Sequence, residues 1–210
     1  MNGQEVVDAV NRDRATELDR LGSGKALVAA TTANLDREPV LTAAAQAEAR
    51  AHETFETWAT DEPDAAAREA FADVADTEAD HHAQVVALLD DAPDAPEPDA
   101  LHEYLRGLDD TAERVGAGLV GRPLASSRSL LQVVNFFVNE AARAEADLFR
   151  ELRSDSDATV ERGIEVLDAV CADDAAYERA QAAAEAAIDT AYEEYATQLE
   201  VMGLDPKPVC

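Results

Sequence analysis

The sequence predicts an all-α fold, on three observations. Alanine, the best helix former, supplies 45 of the 210 residues, while glycine and proline are held to 9 and 8 and fall mostly between Ala/Glu-rich stretches. Apolar residues recur at helical spacing along every long stretch. Nowhere do they alternate as in a half-buried strand. The chain is long enough to bury a real core. It reads as a single domain of two helical halves, 1–90 and 100–203, joined by a Pro-rich linker at 91–99 and followed by an irregular tail at 204–210.

The elements follow from start and stop signals. A first helix is expected from Gln4 to Leu21, ended by Gly22-Ser-Gly24, and a short one from Lys25 to about Leu35. Asp36-Arg-Glu-Pro39 opens a long helix to about Thr60, with proline in its first turn, where it is tolerated. Asp61-Glu-Pro63-Asp repeats that signal for a helix to about Leu89. Pro93, Pro96 and Pro98 mark the linker. Asp99 caps a helix from Ala100 to about Val115, which Gly116, Gly118, Gly121 and Pro123 should break. A long helix is expected from Leu124 to Leu152. Ser154-Asp-Ser-Asp157 then makes a turn and a cap for a helix to Cys171. Asp173-Asp174 begins the last helix, which reaches Met202.

Charge excludes several function classes. With 45 acidic against 17 basic residues, the net charge is −28 and the pI about 4.2. The acids are spread through the helical stretches, unlike a disordered acidic tail. Lysine occurs only at Lys25 and Lys207. Such a surface is tolerated in a cytosol with molar salt, where a Debye length of about 3 Å screens self-repulsion. It is the pattern expected of a salt-in halophile. No basic stripe offers a footprint for nucleic acid, so direct nucleic-acid binding is not expected. Two cysteines, Cys171 and Cys210, are too few for a disulfide scaffold. Cys171 is expected as a small buried hydrophobe, and Cys210 as an inert end. No apolar run reaches the roughly 20 residues of a bilayer span, and the N-terminus shows no secretory signal. A cytoplasmic protein without membrane attachment is expected.

The informative residues are acids that interrupt apolar stripes. Leu41, Glu48 and Phe55 are spaced by seven and share a helix face, and His52 lies on it too. On the next helix Phe71, Glu78 and Val85 repeat the spacing. Val138, Glu145 and Leu152 repeat it again in the second half. An inward carboxylate is costly unless paired or bound to a cation. Glu78-Ala-Asp-His81 is an E-x-x-H, whose i and i+3 side chains reach one point from adjacent turns. Helical bundles use that spacing for metal centres, with single glutamates from partner helices. The candidate ligands are Glu48, Glu78, His81 and Glu145. Glu78 and His81 equally admit a solvated or half-buried structural role, because in so acidic a chain many glutamates fall on a helix boundary. His52 is expected at the core edge, bonded to Glu48, and His82 on the helix surface. No second E-x-x-H exists.

Three segments carry a family resemblance: Gly24-Lys-Ala-Leu27, Ala47-Glu-Ala-Arg-Ala51 through Trp58-Ala59, and Phe71 through His81. Over residues 22–90 the chain resembles the rubrerythrin branch of the ferritin-like superfamily, and its second half and tail resemble an acidic haloarchaeal subgroup. The resemblance implies a ferritin-like four-helix bundle with additional N- and C-terminal helices. Glu48, Glu78 and His81 match the family's first half-site, with Glu145 as a third carboxylate. It further implies iron or manganese in a di-metal or mononuclear centre, and peroxide reduction or ferrous oxidation in oxidative-stress defence. No rubredoxin module with paired Cys-x-x-Cys is present, so electrons would come from a separate donor protein. A homodimer stays open. So does a bundle that kept the fold and lost the centre, acting as a partner-binding or transcription-associated regulator.

Overall fold

A computed structural model describes residues 1–207. Residues 208–210, and with them the expectation for Cys210, lie outside the described residues. The chain is all-α, with no strand among the described residues. Its elements are α1 (Gly3–Asp13), α2 (Ala15–Leu21), α3 (Lys25–Ala30), α4 (Arg37–Asp61), α5 (Ala65–Val86), α6 (Ala100–Arg106), α7 (Thr111–Val115), a π-helical segment (Gly116–Gly121), α8 (Arg122–Asn139), α9 (Arg143–Val170) and α10 (Asp174–Val201). No helix among the described residues is long and apolar enough to cross a membrane.

Short acidic side chains start many of these helices, as helix N-termini with unpaired N–H groups favour. Asp64, Asp99, Asp110 and Asp173 each accept from backbone amides of the first turn of α5, α6, α7 and α10. Asn2 and Glu5 form a capping box on α1. The short turn after α4 reverses the chain, so α4 and α5 run antiparallel, with Phe55, Trp58 and Phe71 in edge and tilted contact. That turn is pinned from inside. The fully buried Glu62 accepts from Thr111 Oγ1 at 2.6 Å, from Arg114 Nη1 at 3.2 Å and from the amide of Asp64 at 3.1 Å. The second antiparallel pair is α8 and α9, where Phe137 stacks on Phe149 and Ser127 donates to Asp157 at 2.7 Å.

The structure moves several boundaries. The expected helix 124–152 ends at Asn139, and a new one starts at Arg143. Between them Ala141 takes the left-handed φ of 57°, with the amide of Ala142 bonded to the carbonyl of Phe137, a helix stop that usually uses glycine. The turn expected at Ser154–Asp157 is instead the middle of α9. Ser156 there satisfies its hydroxyl on the carbonyl of Leu152. The first expected helix is divided at Arg14, and that of 100–115 at Gly107–Asp110.

The glycines at 116, 118 and 121 do not break the chain. They widen it into a π-turn continuous with α7 and α8. They are there for close approach. A Cβ on Gly116 would stand 2.1 Å from the carbonyl oxygen of Ala180, and one on Gly121 2.4 Å from that of Ala184, so α10 lies directly on this segment. Gly118 faces the rings of Trp58 and Phe55 in the same way.

The apolar interior is in two parts. One cluster holds Phe55, Trp58, Phe71, Val74, Val166 and Leu167 together with α1, α10 and the π segment. The other holds Val40, Leu41, Val85, Leu130, Phe137, Phe149 and Leu152. On α4, α5 and α9 the residues between the two clusters include Glu48, Glu78 with His81, and Asp155.

Candidate metal centre

Glu48 and Glu78 meet because α4 and α5 are antiparallel about a short turn, and each carboxylate replaces an apolar residue in its helix's buried stripe. His81 follows one turn after Glu78 on the same face. All three are buried. They offer ligand atoms that lie within 4.8 Å of one another. Donor atoms around one transition-metal ion with bonds of 2.0–2.2 Å sit about 3–4 Å apart, so modest side-chain adjustment closes the set on a cation.

The histidine is pre-oriented. Its Nε2 lies 3.0 Å from Asp155 Oδ2, and an ionised carboxylate can only accept. Nε2 therefore carries the proton, and Nδ1 faces Glu48 Oε2 at 3.8 Å and Glu78 Oε2 at 3.9 Å. A carboxylate on the far nitrogen is what fixes the tautomer of a metal-binding histidine. Arg122, the first residue of α8, donates from Nη2 to Glu78 Oε1 at 2.7 Å and lies over the Phe55 ring at 5.3 Å. The other oxygen of Glu78, Oε2, is buried with no hydrogen-bond partner.

Without a cation these groups hold protons in unusual ways. Burial, reinforced by the charge of Glu78, pushes the Glu48 carboxyl up to about 8. Burial acts on Glu78 in the same sense, but the Arg122 guanidinium outweighs it and holds Glu78 well below the carboxylate range. Burial would lower His81, yet the carboxylates of Glu48, Glu78 and Asp155 around the ring raise it to about 10. At neutral pH the group is thus a protonated Glu48, an ionised Glu78 and a charged His81, with Arg122 and Asp155 cancelling. Exchange of the two acidic protons for one divalent cation leaves the net charge unchanged. Two carboxylates and one imidazole suit iron or manganese, and the orphaned Oε2 is the atom such an ion would satisfy. The donor set fits the metal.

Glu145 is not part of this cluster. It sits in the first turn of α9 and pairs with Arg37 Nη2 at 3.2 Å. The break at 140–142 uncouples it from the stripe of α8, and Val138, expected inward with it, is 49% exposed. His52 is half-buried as expected, but its Nδ1 bonds the carbonyl of Ala75 at 3.0 Å and not Glu48. His82 is half-buried on the flank of α5. Arg122 and Asp155 were not anticipated. Comparison of the chain with models of protein families, with curated proteins and with solved structures returned no match.

Proposed function

We propose that the chain is a metal-carboxylate protein holding one divalent cation, iron or manganese, between Glu48, Glu78 and His81, with peroxide reduction or ferrous oxidation as its reaction class. The observation that carries this is the Asp155–His81 contact, which aims Nδ1 at the two buried carboxylates and at the unpartnered Oε2 of Glu78. A single ion is favoured over a pair, because Arg122 already holds the outer oxygen of Glu78 and Glu145 is engaged with Arg37. Bound iron or manganese would supply one-electron redox chemistry. The chain's own residues orient the imidazole, neutralise Glu78 and shield the centre from water. Electrons would come from a separate donor protein, as the rubrerythrin-like resemblance implies. The net charge of −28 supports a high-salt setting.

Metal analysis of protein purified in molar KCl, followed by Mn(II) titration of chelator-treated protein, tests the proposal. About one equivalent of iron plus manganese, lost in Glu78→Gln, is expected. Less than about a tenth of an equivalent with no Mn(II) binding overturns it.

One observation favours a second reading, a bundle that acts as a regulatory or partner-binding scaffold with a lapsed centre. Arg122 and the proton on Glu48 already balance the buried charges, so folding need not depend on metal. Full folding with no metal affinity, and recovery of transcription proteins in a pull-down, would favour that reading.

A further inference from the structure

Two hollows touch the proposed centre through different residues. One is a cavity of about 440 Å³ whose wall includes Glu48 and Arg122. The other is a cleft of about 390 Å³ between α5 and α9, lined by His81 and Asp155 with Gln84 and Ala158. Glu48 and Arg122 are absent from the cleft, and His81 and Asp155 from the cavity.

The two differ as routes for a divalent cation. In the cavity a cation would pass the guanidinium of Arg122, a like charge pinned on Glu78 Oε1 at 2.7 Å and over the Phe55 ring at 5.3 Å. The cavity also carries Asp99 and Glu194, but Asp99 is engaged by His102 and Arg50, and neither acid bonds a residue of the centre. In the cleft the charge next to the centre is Asp155, opposite in sign and 53% exposed. Arg162, also on the cleft wall, is paired with Glu165 at 3.1 Å. In molar salt the Debye length is about 3 Å, so charges met at contact decide the route.

The oxygens of Glu78 make the same distinction. Oε1 is turned to Arg122, whereas Oε2 lies 3.9 Å from His81 Nδ1. Oε2 is the buried atom with no hydrogen-bond partner, on a side chain only 8% exposed. The atom that lacks a ligand therefore faces the histidine, and the histidine borders the cleft. Among the described residues the one hydrogen bond of the His81 ring runs from Nε2 to Asp155 at 3.0 Å. A half-exposed carboxylate can exchange that bond for water at small net cost.

We propose that the cation is loaded and released through the cleft between α5 and α9, with His81 as its door. Asp155 is the first oxygen met on the way in. The imidazole turns off Asp155, uncovers Glu78 Oε2, and returns with Nδ1 facing the centre. This rests on the metal-centre reading and adds the route by which that centre fills. Asp155 is a positioning residue, since it holds the door shut in the resting protein.

Full-length, chelator-treated protein in molar KCl is mixed rapidly with Mn(II), and uptake is followed by loss of the free-ion EPR signal. Release is followed by transfer of bound Mn(II) to excess EDTA. Plugs are placed at exposed positions outside the ligand set, Ala158→Phe in the cleft and Ala47→Phe in the cavity wall. A plugged route raises the barrier and leaves the end states alone, so uptake and release slow together. Ala158→Phe is expected to slow both about tenfold with the dissociation constant within about twofold of wild type, whereas Ala47→Phe keeps wild-type rates. Gln84→Phe, exposed on the α5 side of the cleft, supplies the plug if Ala158→Phe does not fold. Wild-type rates in the cleft variants, or equal slowing in Ala47→Phe, overturn the route while equilibrium binding leaves the metal centre standing. No Mn(II) bound by wild type at equilibrium overturns the metal centre and the route with it.

Discussion

Glu48 and Glu78 are buried side by side, yet Arg122 hydrogen-bonds only Glu78, and the two carboxyls are driven to opposite ends of the acidity range. Glu48 is held up to about 8, whereas Glu78 stays ionised. The proton on Glu48 is thus a stabilising feature of the metal-free fold. Its folded pKa exceeds the unfolded one of about 4.3, so its contribution is complete below that value and is lost as the pH rises through about 8.

Glu48→Gln should remove that loss. Metal-free Glu48→Gln protein is expected to be more stable than wild type above pH 8, by on the order of a few kcal/mol, and to bind no metal. Urea denaturation at pH 6 and pH 9 checks this, and an equal wild-type drop in the variant would count against it.

Cation binding should release protons. Below pH 8 both Glu48 and His81 carry a proton that a metal must displace, giving about two protons per ion and an apparent affinity rising about 100-fold per pH unit. The slope should fall toward one proton between about 8 and 10. Calorimetry of Mn(II) binding in buffers of different ionisation enthalpy measures the number directly.

Asp155 is half-exposed and lies on the outside of the imidazole. Asp155→Ala should leave the fold intact and weaken Mn(II) binding about 10–100-fold, the usual effect of removing a carboxylate from a ligating histidine. Unchanged affinity would show that His81 needs no such support.

A purely structural expectation concerns Glu62. Its side chain is fully buried against Arg114, and breaking a buried pair leaves a charge uncompensated. Glu62→Gln should cost about 3 kcal/mol in urea unfolding, at the low end because Arg114 keeps Asp61 at 2.8 Å.

Ala141 offers the opposite change. An alanine at φ 57° is strained by about 1–2 kcal/mol, and glycine relieves this at some cost in unfolded-chain entropy. Ala141→Gly should stabilise the protein by about 0.5–1 kcal/mol, read as a higher denaturation midpoint.

What the sequence disclosed, and what it concealed, has physical causes. Glu48, Glu78 and His81 were legible because each occupies a place in an apolar stripe that helical spacing leaves no room to misassign. Glu145 was misplaced because the stop at 140–142 is Glu-Ala-Ala, residues that signal helix, with no glycine or proline to mark an end. Asp155 was hidden by the opposite effect. Ser154–Asp157 has the composition of a cap, yet there Ser156 bonds back within the helix and Asp157 takes the hydroxyl of Ser127. Arg122 was missed because three glycines just before it resemble a break, whereas they serve the packing of α10.

The two-part interior carries a mechanical consequence. The two apolar clusters are separate where Glu48, Glu78 and His81 lie, so at that level the side chains that meet between α4 and α5 include buried charged groups, while the helices themselves run through. A cation seated there would act as a rivet between two oily blocks, and its removal would leave a seam along which amide exchange should begin.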